Sequence, residues 1–121
     1  MEIDYSSPEQ VLQSYINCCR CGDAAGLEQL FHPQAAMYGY LNGELMAPTP
    51  QPFFEAVANA PCPESSGEPY QAEITVVETT GATATLVLKE SNYLGMRFTN
   101  SFQLLKTDGR WWIVSKLFQS S

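Results

Sequence analysis

His32 is the single histidine of the chain, and it stands in Leu30-Phe31-His32-Pro33 shortly before Tyr38 and Tyr40. Imidazole titrates near neutral pH, so a histidine close to phenols is a candidate proton-transfer group. That role needs a carboxylate to orient the ring. Glu28, four residues earlier, could reach it but is expected to face solvent. The competing role is structural, since a histidine at the end of a helix can bond its last carbonyls and is favoured there by the helix dipole. Tyr38 and Tyr40 share one face of an expected strand, with Met37 on the other. Phenols facing a pocket would hold a flat polar ligand by stacking and a hydrogen bond, and Tyr15 and Trp111 are candidates on the same grounds. Glu73 and Glu78 fall on opposite faces of a later strand, so they form no acid/base pair of the glycosidase kind.

The four cysteines, Cys18, Cys19, Cys21 and Cys62, are not spaced as a metal site. In a helix Cys18 and Cys21 share a face while Cys19 points elsewhere, and the second pair that a structural zinc site needs is missing. Reduced thiols and no metal are expected. Motifs for nucleotides, zinc proteases and serine hydrolases are absent, so no cofactor is expected.

These residues need elements to position them. Ser7-Pro8-Glu9-Gln10 starts a helix, with Ser7 as cap and Pro8 in the first turn. Val11, Leu12, Tyr15, Ile16 and Cys19 give it one apolar stripe, and Gly22 ends it. Asp23 caps a second, short helix that His32-Pro33 stops. A strand follows over 35–40. Asn42-Gly43 turns it into a short return strand, and Thr49-Pro50 opens a third helix. "APCPESSGEP" over 60–69 reads as a mobile flap. From Tyr70 the apolar period changes to two, with strands at 70–79, 82–90, 96–106 and 110–118. Helices first and a meander afterwards predict an α+β fold with an antiparallel sheet.

A two-residue turn at Asp108-Gly109 sets Thr107 opposite Arg110. One sheet face then carries Phe98, Asn100, Phe102 and Leu104 beside Trp111, Ile113, Ser115 and Leu117, and the helices must cover it. The other face, with Trp112, Val114, Lys116 and Phe118, is too apolar to be fully solvated. A second copy of the chain is the simplest cover, so a homodimer through the sheet face is expected.

With 121 residues this is one domain of ordinary globular composition. A net charge of −7 with six Lys plus Arg argues against nucleic acid or an anionic membrane as partner. No apolar run is long enough to span a bilayer, and the acidic, polar N-terminus is unlike a signal peptide, so a cytoplasmic protein is expected.

Two stretches, "VLQSYINCCRCGDAAGLEQLFHPQAAMYG" and "FTNSFQLLKTDGRWWIVSKLF", resemble the nuclear transport factor 2-like superfamily, and within it the small bacterial proteins described as lumazine-binding. The resemblance implies a cone, in which a curved sheet wraps N-terminal helices around a pocket, and it implies frequent dimers. The superfamily holds dehydratases, isomerases, cyclases and hydrolases as well as pockets without an assigned reaction, so fold alone does not decide function. It also implies that Asn100 stands where many relatives carry Asp. An Asp in an apolar pocket could act as general base or acid, whereas an amide can only orient a ligand or a neighbour. The leading expectation is therefore a binder of a small apolar or aromatic molecule with no assigned reaction. Its candidate pocket residues are Tyr15, His32, Tyr38, Tyr40, Phe98, Asn100, Phe102, Trp111 and Ser115. The alternatives are a cofactor-independent lyase or isomerase working by proton transfer, and a structural dimerisation module with a filled interior.

Overall fold

A computed structural model describes residues 3–121, apart from the side chain of Val76. Helix α1 (Pro8–Cys21) begins where Ser7 Oγ accepts from the Gln10 amide at 3.2 Å and ends at Gly22, whose φ of 74° suits a residue without Cβ. Helix α2 (Ala24–Leu30) is capped by Asp23, whose carboxylate accepts from the Gly26 amide at 2.9 Å. Helix α3 (Gln51–Asn59) buries Phe54 and Val57. The expected flap at 60–69 instead contains a fourth helical turn, α4 (Pro63–Ser66), which packs on α1. Its Cys62 cap lies so near Gly22 that a Cβ there would meet the Cys62 Cβ at 3.0 Å.

Six strands follow in one sheet: β1 (Phe31–Leu41), β2 (Glu44–Met46), β3 (Gln71–Thr80), β4 (Thr83–Tyr93), β5 (Met96–Thr107) and β6 (Arg110–Ser120). Their spatial order is β2-β1-β6-β5-β4-β3. The meander is antiparallel, as its short turns require, but β1 lies parallel to β6, so the sheet is mixed rather than purely antiparallel. The parallel pair arises because the chain between β1 and the meander crosses the sheet through α3 and α4. Register shifts in β1, β3, β4 and β6 add local bends to the sheet. The sheet curves around α1 and α2, and the buried Leu12, Tyr15, Leu27 and Leu30 meet Leu86, Leu88, Phe102 and Ile113 between the two layers.

One of these bulges changes which side chains face inward. Leu104 pairs with Ile113 as strict alternation requires, but Gln103 pairs with Ser115 and Phe102 with Lys116, so Val114 has no partner of its own. Alternation along β6 therefore does not hold. Trp111 and Ile113 face the helices, and beyond the bulge Lys116, Phe118 and Ser120 do so. Ser115 and Leu117, expected inside, point to the outer face, where Leu117 is 60% exposed. One extra residue inverts the facing of everything after it.

Candidate functional site

Lys116 is the consequence of that bulge. Its side chain enters the layer between sheet and helices, and the residue is 5% exposed. The Nζ donates to the Tyr15 hydroxyl at 2.7 Å. Around it stand the rings of Phe53 at 3.9 Å, Tyr15 and Phe118 at 5.3 Å and Phe102 at 5.9 Å from Nζ to centroid. Ring faces at these distances attract a cation and partly replace the water it has lost. Burial nevertheless pulls the Lys116 pKa down to about 8, against the opposing pull of Glu90 and Cys19. The same burial pushes the Tyr15 phenol well up, so it stays protonated and neutral.

Glu90 supplies the second charged group. It follows Leu86 and Leu88 on the inward register of β4 and is 5% exposed. Both oxygens accept hydrogen bonds, Oε2 from the Tyr70 hydroxyl at 2.6 Å and Oε1 from Asn100 Nδ2 at 2.8 Å. Asn100 Nδ2 also donates to the Leu88 carbonyl at 3.1 Å, which fixes its amide plane. Asn100 Oδ1 is buried without a partner among the described residues. Burial and the neighbouring carboxylate push the Tyr70 pKa up, and burial likewise raises those of Tyr93 and Cys19.

Lys116 and Glu90 face one cavity of about 70 Å³, with room for roughly two waters. Met37, Phe98, Phe118 and Tyr93 form its buried walls. Half-buried Leu41, Met46, Phe53 and Leu94 and exposed Pro52 and Ala56 form its mouth, between α3, the β1–β2 hairpin and the β4–β5 hairpin. An amine, a carboxyl group and a phenol thus meet in a small apolar space, the setting in which proton and carbonyl chemistry is tuned. Among the described residues no group of three or more His, Cys, Asp or Glu is placed to hold a metal ion.

The sequence candidates separate. Phe98 lines the cavity, while Tyr15, Asn100 and Phe102 stand one layer behind it, around Lys116 and Glu90. Tyr38 and Tyr40 face outward, 47% and 48% exposed, because Met37 and Gly39 take the inward register of β1. Ser115 is also outside and donates to Gln103 Oε1 at 3.1 Å. Trp111 is buried near the β5–β6 turn and its amide bonds the Tyr5 carbonyl, away from the cavity. His32 does not bond the last carbonyls of α2, whose end is closed by the Phe31 amide. Its Nδ1 instead accepts from the Gln34 amide at 3.1 Å, and its ring meets Trp112 edge-on at 5.4 Å. That ring lines an open groove with Arg110. The guanidinium there is stacked between Tyr5 and Trp112 at 3.4 and 3.6 Å and donates to the Gln29 carbonyl, so its charge serves the fold.

Sequence reasoning missed Lys116, Glu90, Tyr70 and Tyr93. Glu90 was within reach, since Ala84, Leu86 and Leu88 set an inward alternation that ends on it. Lys116 was not, because its facing depends on the bulge.

Residues 5–119 match the family described as "Putative lumazine-binding". An NTF2-like protein of unknown function from Shewanella baltica is similar to this chain at 27% identity and a TM-score of 0.82, over 93% of this chain and 90% of its own. One from Silicibacter pomeroyi shares 26% identity, also with a TM-score of 0.82, over 93% and 92%. "Aldolase FrzH" from Cladobotryum is 27% identical over 118 residues, which are 97% of this chain and 91% of that protein. Among the described residues no helix is long and apolar enough to cross a membrane.

Proposed function

The chain belongs to the family described as "Putative lumazine-binding", and from that premise we propose that its cavity binds a small apolar aldehyde or ketone and activates it at the carbonyl group. The observation that carries this reading is the placement of Lys116 and Glu90 on one apolar cavity. A cation at a carbonyl oxygen stabilises the charge that develops when an adjacent C–H bond ionises, and a carboxylate held by two donors is positioned to take that proton. This is proton transfer next to a carbonyl, the first half of an aldol reaction, and the likeness to an aldolase supports it. It replaces His32, Tyr38 and Tyr15 with Glu90 as the proton-transferring group. The volume suits a carbonyl compound of a few heavy atoms, or the carbonyl end of a longer apolar molecule lying across Leu41, Met46 and Phe53. A bicyclic ring is too large for the space as it stands. The test is exchange of the α-hydrogens of propionaldehyde with deuterated water, followed by NMR. Catalysed exchange that falls on the order of 100-fold or more in Glu90→Gln is expected; exchange equal to the buffer rate overturns the reading.

The same reading includes a second copy of the chain on the outer face of the sheet. Tyr38 and Leu117 are register partners there, and Leu117 is followed across β5 and β4 by Ser101 and half-buried Val87. Sedimentation at micromolar concentration is expected to give a dimer that Leu117→Glu dissociates; a wild-type monomer refutes it.

A further inference from the structure

We propose that Lys116 is a nucleophile that captures the aldehyde or ketone as an imine, with Glu90 then taking the α-proton to give an enamine. The inference rests on the carbonyl-binding reading and deepens it from polarisation to covalent chemistry.

The argument starts from what surrounds the amine. Among the described residues its hydrogen-bond partner is a phenol, and no carboxylate pairs with it directly. A lysine kept for an ion pair would be placed against its counter-ion, whereas this one is held by a neutral oxygen in a ring of aromatic faces. Desolvation of that kind favours the neutral amine, and the neutral amine is the form with a lone pair. The hydrogen bond from Nζ to the Tyr15 oxygen fixes where the amine stands beside the cavity. The other two lysines, Lys89 and Lys106, are exposed.

The step balances with the carbonyl compound alone. The Nζ lone pair attacks the carbonyl carbon, the C=O electrons move to oxygen, and a proton passes from nitrogen to that oxygen to give a carbinolamine. The C–O bond then breaks, oxygen leaves as water after taking one more proton, and nitrogen shares its electrons with carbon in a protonated imine. Solvent at the open mouth of the cavity supplies that proton, and Glu90 returns one to solvent after it has taken the α-hydrogen, so no proton is gained or lost overall. The positive imine nitrogen inherits the ring of Phe53, Phe102 and Phe118 that now surrounds the amine. Glu90 accepts the acidified α-hydrogen, and the C–H electrons form the enamine double bond. Tyr15 is a positioning residue, since it holds Nζ without lining the cavity.

The experiment incubates the full chain with propionaldehyde and sodium cyanoborohydride near neutral pH and maps the reduced adduct by peptide mass spectrometry. Lys116 is expected to be alkylated at least about tenfold faster than Lys89 and Lys106, its neutral fraction being larger at that pH. Tyr15→Phe is expected to slow alkylation of Lys116 while leaving Lys89 and Lys106 unchanged. Alkylation of Lys89 and Lys106 with Lys116 untouched overturns the imine. The α-hydrogen exchange assay on the same sample separates the two readings. Exchange without a Lys116 adduct leaves carbonyl activation standing and removes the covalent step. An adduct without exchange keeps the imine and removes Glu90 as base. Neither signal removes both. The readout is on the wild-type chain, so it does not depend on a Lys116 variant folding.

Discussion

Lys116 Nζ donates to the Tyr15 hydroxyl across 2.7 Å, tying the last strand to the first helix over 101 residues of chain. The bond closes the fold from the inside, yet its donor is a cation taken out of water. Such a group lowers stability while it is charged and stops doing so once it is neutral.

The sign follows from the direction of the shift. The folded-state pKa is about 8, below the ordinary lysine value of 10.5. Below pH 8 both folded and unfolded chains hold the proton, and the folded one bears the burial cost. Between about 8 and 10.5 only the unfolded chain holds it, so stability rises with pH by roughly 3 kcal/mol in total. Glu90 on β4 and Tyr15 and Cys19 on α1 face the amine and share its environment. Urea unfolding of wild type and Lys116→Met at several pH values is expected to show the variant relatively most stable near pH 7 and its advantage vanishing by pH 10. A difference that does not change with pH contradicts the buried-cation account.

Asn100→Asp tests the other half of the site. The amide gives its hydrogens to Glu90 Oε1 at 2.8 Å and to the Leu88 carbonyl at 3.1 Å. A carboxylate there faces two acceptors, and the Asp/Glu pair must share a proton, which raises the apparent folded-state pKa of the pair. A raised carboxyl pKa gives stability that is present at acid pH and lost as pH rises through the folded value. The variant is expected to be less stable than wild type at pH 7 by about 3 kcal/mol or more and to approach it near pH 4. Thermal melts across that range decide it, and an equal loss at both pH values excludes a shared proton.

How much of this was legible in the sequence depended on where local rules govern. Caps at Ser7 and Asp23, turns at Asn42-Gly43 and Asp108-Gly109, and the period-two pattern of the meander are set by neighbouring residues, and each appears where its residues predict. The parallel β1/β6 pairing is a long-range choice with no local mark. The site fell to a single bulge, because strict alternation put Ser115 inside and Lys116 outside, the reverse of what β6 does. Asn100 was read for its own amide alone, and the carboxylate to which that amide donates lies one strand away on Glu90.

His32 can now be tested as a structural residue. Its ring accepts from the Gln34 amide and packs edge-on to Trp112, and it lines no part of the Lys116 cavity. His32→Ala is expected to cost about 1 kcal/mol, the worth of one hydrogen bond and a ring contact, with α-hydrogen exchange unchanged. Loss of exchange at unchanged stability would return the histidine to the active site.

Gly39 tests how the cavity wall is held in place. A Cβ at this position would overlap Phe118 Cδ1 and the Phe118 carbonyl oxygen. The first contact is with a side chain that can turn, the second with the backbone of the paired strand, so no rotamer change relieves both. Gly39→Ala is expected to destabilise by about 3 kcal/mol through a local parting of β1 from β6. Phe118→Ala alone empties part of the cavity wall and costs a similar amount. In the double variant the ring clash is gone but the carbonyl clash remains, so the two losses add to less than their sum by about 1 kcal/mol and not to zero. Full additivity in denaturant titrations would mean that the ring plays no part in excluding a side chain at Gly39. Complete rescue would mean that the backbone of β6 yields freely, and a cavity wall built on so yielding a strand could not hold Lys116 in a fixed position.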